Sequence, residues 1–256
     1  IIGAGVAMGW NDPEMDRRIH EAFVNTSPLD DIALPLLAMT HGVKVSERLA
    51  HHFGETEIED LWLPFFCLSS NLTTGAYHLH KRGLVRKALR ASISLPGILP
   101  PATDENNNVL VDGAVLKNFP ADIMHASQLG PVVGVDVTSG RSITADDVAR
   151  PASVWRWLWS GQWRKGPPIV SVLMRAATVS TGPDLAAARA ATDVLVLPDV
   201  TKIEIRDWSA YDPAVAEGYR AMIEALDKLD RPVEDLRRRR SLQDPPQPKA
   251  LLAAGG

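Results

Sequence analysis

Asp112 closes the short apolar run "VLV" and is followed at once by Gly113, in the stretch "VLVDGAVLKNFP". An acid at the end of a buried strand costs free energy unless something satisfies or uses it. In open parallel sheets ligands bind beyond the carboxyl ends of the strands, where Asp112 falls if "VLV" is such a strand, and Gly113 lets the chain turn sharply there. A carboxylate so placed can take a proton from a hydroxyl as a general base. It can equally close an Asx turn on neighbouring amides. Residue type and position leave both open. Asp136, in "VVGVDV", is a rival acid, but no glycine turn follows it and a hydrogen-bonded structural role is expected. His51-His52 and His78-x-His80 raise the question of a metal, because alternate strand residues share a face. No third ligand stands at familiar spacing and no H-E-x-x-H occurs, so neither a metal nor a cofactor is expected.

A different chemistry is carried by "SVWRWLWSGQWRKGPP". Trp155, Trp157, Trp159 and Trp163 alternate with Arg156, Arg164 and Lys165, combining rings that favour a bilayer interface with cations that attract anionic head groups. Packing of these rings on the protein itself is the other reading.

The elements that must position these residues follow from pattern and punctuation. "IIGAGVAMGW", rich in glycine and alanine, reads as a buried helix entered in mid-course, beginning before Ile1. Asp12-Pro13 marks a helix start. Val45, Leu49 and Phe53 form one helical stripe. Thr56 and Glu59 have capping-box spacing ahead of "DLWLPFFCLSSNL", which reads as a strand covered on both faces. "LVRKALRASIS" is a helix, and "SLPGILPP" must be a loop. After the "VLV" strand, Asn118 reads as the cap of the helix "PADIMHASQLG"; "PVVGVDV" and "DVLVLP" are strands. Asp212-Pro213 opens a helix with Val215, Tyr219, Met222, Ile223 and Leu226 on its apolar face. Strands separated by helices predict an α/β fold with a mostly parallel sheet. Residues 1–240 are expected to form the domain and 241–256 a disordered, proline-rich tail.

At 256 residues, with 45% hydrophobic and 23% charged residues, the chain can bury one large core. Its net charge of -4 argues against an electrostatically driven nucleic-acid partner. The single cysteine, Cys67, cannot form an internal disulfide, which fits a reducing compartment. No apolar run approaches the roughly 20 residues of a membrane span. The N-terminus, without an initiator Met or a basic leader, reads as cut from a longer chain.

Four blocks in order, "THGVKVSERL", "IEDLWLPFFCLSSNLTTG", "RASISLPGILPP" and "VDGAVLKNFPADI", together resemble the patatin-like phospholipases, specifically their neuropathy target esterase branch. The resemblance runs with gaps from residue 1 to about residue 228. It implies a three-layer α/β/α fold and a serine–aspartate dyad: the serine on a G-x-S-x-G elbow, the aspartate opening a D-G-[GA] motif, and a G-G-G-x-R-G turn supplying the oxyanion hole. Asp112, Gly113 and Ala114 match D-G-A, which makes Asp112 the implied base. Arg90 and Ser92, in the "RAS" block, are expected to fix the loop beside the site rather than react.

Neither glycine motif occurs in the 256 residues. "IIGAGVAMGW" resembles the helix that follows the family's elbow, so the expectation is an N-terminally truncated chain whose first strands and nucleophile lie upstream, and which is inactive alone. The implied activity of the parent is hydrolysis of (lyso)phospholipid acyl esters at a membrane surface, by a cytoplasmic, peripherally bound enzyme without a cofactor. A cyclic-nucleotide-binding domain upstream is a further implication, since members of this branch often carry one. A non-catalytic lipid-binding or regulatory module is the alternative.

Overall fold

The computed structural model describes residues 1–25, 38–127, 129–137, 182–201 and 208–230, with Leu29, Asp31, Ile203, Pro232, Asp235 and Leu236. Contacts divide the chain into two units, one holding Ile1–Asn118 and Ile203–Tyr211, the other Phe119–Gly140, Leu185–Lys202 and Asp212 onward. The elements make an α/β fold.

In the first unit, α1 (Ile2–Ala7), α2 (Asp12–Ile19) and α3 (Val43–Phe53) precede β1 (Cys67–Asn71) and β2 (Ala76–His80); α4 (Val85–Ser92), β3 (Ala102–Thr103) and β4 (Val109–Asp112) follow. The strands form one sheet in the order β2-β1-β4-β3. Every pairing in it is antiparallel. A mostly parallel sheet was expected, and this sheet corrects that expectation. Only the segment from Leu72 to Gly75 links β1 to β2, far too short for a crossover helix. Asn71 folds that link, its Oδ1 accepting the Thr73 and Thr74 N–H groups at 2.9 and 3.1 Å.

α4 packs on β1 and β4, burying Val85, Ala88, Leu89 and Ala91 at helical spacing. The α3 stripe of Val45, Leu49 and Phe53 joins Val85, Leu89, Ile58 and Leu99 in one core cluster. Burial of a leucine or phenylalanine of this kind contributes about 2 kcal/mol, so the α3–α4 contact is a main brace of the sheet. Trp10 stacks on Phe53 with ring centroids 5.1 Å apart, and a Cβ at Gly5 would meet the Trp10 ring at 2.5 Å. Glycine at position 5 is thus what lets the ring close on α1.

Several local expectations change. α1 is half buried: Ala4 and Ala7 face the core, whereas Ile2 and Val6 are 54% and 48% exposed. Asn11, not Asp12, caps α2, its side chain accepting the Glu14 N–H. The expected capping box is not formed; Glu59 accepts the Gly83 N–H instead. The strand read across residues 60–72 is confined to Cys67–Asn71, because Pro64 lacks a donor just ahead of it.

In the second unit, α5 (Ala121–Ala126) leads to β5 (Val133–Val135), which pairs in parallel with β6 (Val194–Val196) after α6 (Gly182–Ala190). α7 (Tyr211–Asp227) follows. Pro120 occupies the N-cap of α5, with no side-chain cap bond, so the position read for Asn118 is taken by another residue. On α7 the buried face matches the expected one at Met222 but not at Val215, Tyr219 or Ile223. Ala221, Met222 and Ala225 pack with Val194 and Val196, while Val215, Tyr219 and Ile223 are exposed. No helix among the described residues is long and apolar enough to cross a membrane.

Candidate active site

β4 reads Val-Leu-Val-Asp, with Leu110 and Val111 buried and Asp112 at its carboxyl end. The Asp112 N–H donates to Ser94 O at 2.9 Å. Its carboxylate accepts the Ala114 N–H on Oδ1 at 2.8 Å, capping a single turn of 3-10 helix over Gly113–Val115. A Cβ on Gly113 would lie 2.6 Å from the Leu68 carbonyl oxygen. Only glycine permits this approach. Ser70, fully buried on β1, ties the turn down from its far side: its Oγ donates to Gly113 O at 3.3 Å and accepts the Leu116 N–H at 3.0 Å.

The Asx-turn reading of Asp112 is realised on one of its two oxygens. Oδ1 closes the Asx turn, and Oδ2 has no hydrogen-bond partner among the described residues. Burial pushes the Asp112 pKa up to about 6, against the opposing effect of the Ala114 N–H. A carboxylate with raised proton affinity and one open oxygen can accept a proton near neutral pH.

The start of α1 lies at the same end of the sheet. Ser69 stands opposite Asp112 in antiparallel register, so the Cys67 end of β1 and the carboxyl end of β4 coincide. Ile1 and Cys67 both pack against the core cluster that holds Val45, Leu49, Val85 and Leu89. Burial raises the Cys67 thiol to about 11, leaving it unreactive at neutral pH.

Arg90 holds the loop between α4 and β3. Its Nη1 donates to Ser94 Oγ at 2.6 Å and its Nη2 to Pro100 O at 3.1 Å. Ser94 in turn supplies the carbonyl that receives the Asp112 N–H, so Arg90 reaches the acid through one residue. The rival acid, Asp136, is buried and paired with Arg189 at 2.7–2.8 Å, an arrangement of the second unit that holds structure.

His78 and His80 have ring centroids 4.5 Å apart, and His51 and His52 5.0 Å. Among the described residues no group of three or more His, Cys, Asp or Glu side chains could hold a metal ion. Trp155, Trp157, Trp159 and Trp163 lie outside the described residues. Sequence reasoning passed over Ser69, Ser70 and Ser94, all fully buried. The signal was the polar triplet "SSN" inside a strand read as covered on both faces.

Residues 1–125 match the patatin-like phospholipase family profile. An uncharacterized NTE family protein of Mycobacterium tuberculosis (strain CDC 1551 / Oshkosh) is 34% identical over 237 residues, 88% of this chain and 40% of the relative. The chain belongs to the patatin-like phospholipase family. Further relatives place it in the neuropathy target esterase branch. The neuropathy target esterase sws of Drosophila melanogaster is 31% identical over 157 residues, 59% of this chain and 11% of the relative. Lysophospholipase NTE1 of Mycosarcoma maydis is 30% identical over 207 residues, 78% of this chain and 11% of the relative. This patatin-like chain thus spans 40% of the length of the mycobacterial protein and far less of the others.

Proposed function

We propose that these residues form part of a lipid acyl-ester hydrolase of the phospholipase or lysophospholipase type, and that Asp112 is its general base. The observation that carries this reading is the buried Asp112 carboxyl, raised to about 6 and held on the Gly113 turn with Oδ2 open. Similarity to a lysophospholipase supports the substrate class.

In the reaction, Asp112 takes the proton of a serine hydroxyl as the serine oxygen attacks the ester carbonyl. The tetrahedral intermediate collapses, and the protonated Asp112 returns the proton to the departing alcohol. Water then releases the fatty acid from the acyl-serine by the same exchange. General-base help of this kind contributes about 10²–10⁴-fold in rate. No G-x-S-x-G occurs in the 256 residues, so this reading assigns the nucleophile to a longer chain and predicts no turnover by the 256 residues alone. Docking of the tryptophan-rich stretch at Trp155, Trp157, Trp159 and Trp163 on lipid, from the cytoplasmic side, belongs to the same reading. So do a domain boundary near residue 240 and a cyclic-nucleotide-binding domain elsewhere in the longer chain.

The missing elbow is also the observation that favours a second reading, a patatin-like module that binds lipid without turnover. Expressing the longest reading frame that contains these residues and assaying a chromogenic acyl ester separates the two. Hydrolysis that falls by at least two orders of magnitude in Asp112→Asn supports the dyad. A frame without an elbow serine, or hydrolysis indifferent to Asp112→Asn, would end the enzyme reading.

A further inference from the structure

The face of the sheet that carries Asp112 and the buried Leu110 also carries Ser69, His78 and His80. Directly opposite residues of an antiparallel pair share a face, with Cβ atoms about 5 Å apart. Ser69 is directly opposite Asp112, and His78 is directly opposite Ser69. His80 stands diagonally across from Ser69, and its Nε2 is 2.8 Å from Ser69 Oγ. Ser69 is fully buried, and among the described residues its hydroxyl has no partner other than His80.

A buried hydroxyl hydrogen left without an acceptor costs more than an idle hydroxyl lone pair. The Ser69 O–H is therefore the donor and His80 Nε2 the acceptor, with the imidazole proton on Nδ1. Burial, reinforced by His78 and opposed by Asp104, lowers the His80 pKa to about 4. The ring is neutral and able to accept throughout the neutral range. The titratable groups on the surrounding elements are Cys67 on β1, Tyr77, His78 and His80 on β2, and Arg86, Lys87 and Arg90 on α4, with Asp104 just after β3; none of them hydrogen bonds to the Asp112 carboxylate.

The geometry points to His80 as a positioning residue for Asp112: by engaging the Ser69 hydroxyl, it keeps that hydroxyl off the carboxylate and leaves Oδ2 open to an incoming proton. A serine opposite a carboxylate would otherwise donate to it. That bond would occupy the open oxygen and stabilise the anion, weakening the base. The inference builds on the assignment of Asp112 as base, but its test reads proton affinity and not hydrolysis.

The test is a carboxyl ¹³C NMR titration of Asp112 in the 256-residue chain. The Asp112 midpoint is expected to fall by about one pH unit in His80→Phe, as one donated hydrogen bond would cause. His80→Gln, whose amide oxygen can still accept, should stay near the parent value. Adding Ser69→Ala to His80→Phe should restore the midpoint. Ser69→Ala alone should move it by no more than a few tenths, which gives an independent check where His80→Phe does not fold. An unchanged midpoint in folded His80→Phe, or a rise of about one unit in Ser69→Ala alone, overturns the inference. Failure of ester hydrolysis in a longer chain would leave these titrations unaffected, so the two assignments are tested separately.

Discussion

Gly113 lies so close to Leu68 that a single added methyl group would stand 2.6 Å from the Leu68 carbonyl oxygen. The contact is with backbone in the middle of a sheet, so neither partner can move aside without breaking the β1–β4 ladder. Gly113→Ala is expected to destabilise the fold by about 1–3 kcal/mol, the range for overpacking. Urea denaturation read by far-UV circular dichroism checks this; a midpoint equal to that of the parent would show that the turn has slack.

Asp112→Asn should stabilise the protein at neutral pH. The folded pKa, about 6, is above the ordinary value of 3.8. The native state therefore binds the proton more tightly than the unfolded state, and stability is lost as pH rises from about 3.8 through about 6. A non-titrating amide removes that loss, worth about 3 kcal/mol at pH 7. Denaturation midpoints at pH 3.5 and pH 7 should differ less in the variant than in the parent, and an equal pH dependence would refute the raised pKa.

Arg90→Lys should loosen the loop between α4 and β3 without unfolding the core. A lysine cannot reproduce the two-pronged donation to Ser94 Oγ and Pro100 O. The expected cost is about 1–2 kcal/mol. Faster amide exchange at Ile98 and Leu99, whose N–H groups bond to Leu95 O, is the specific readout, against unchanged exchange in α3.

Cys67 should resist alkylation in the native state. With its thiol raised to about 11 by burial, the thiolate is scarce at pH 8 and the side chain hard to reach. Iodoacetamide labelling followed by mass spectrometry should be slow in buffer and rapid in 6 M urea. Fast native labelling would contradict the packing of β1 against α4.

What could be read from the chain was what depends on near neighbours in sequence. The Asp112-Gly113 turn was legible because a strand, an acid and a glycine follow one another, and α3 because Val45, Leu49 and Phe53 repeat at helical spacing. The antiparallel sheet was not, since its register pairs Ser69 with Asp112 across 43 positions. The α7 face was misjudged in part for a related reason: Met222 packs against β6 as expected, but beside it fit the small side chains of Ala221 and Ala225 and not the more apolar Val215, Tyr219 and Ile223. Ser69, Ser70 and Ser94 are residue types usually found at the surface or in turns. Their burial is made affordable by distant partners, such as the Leu116 N–H that Ser70 accepts.

The turn after β4 is bound from three directions, by Ser94 through the main chain, by Ser70 through its hydroxyl and by Leu68 through close packing. An acid seated in this way has few rotational states left to give up when a second molecule approaches. If Asp112 is the base proposed above, differences in turnover between one ester and another would trace to how each acyl group is seated, and selection for a new lipid would act on the surrounding walls before it touched the acid.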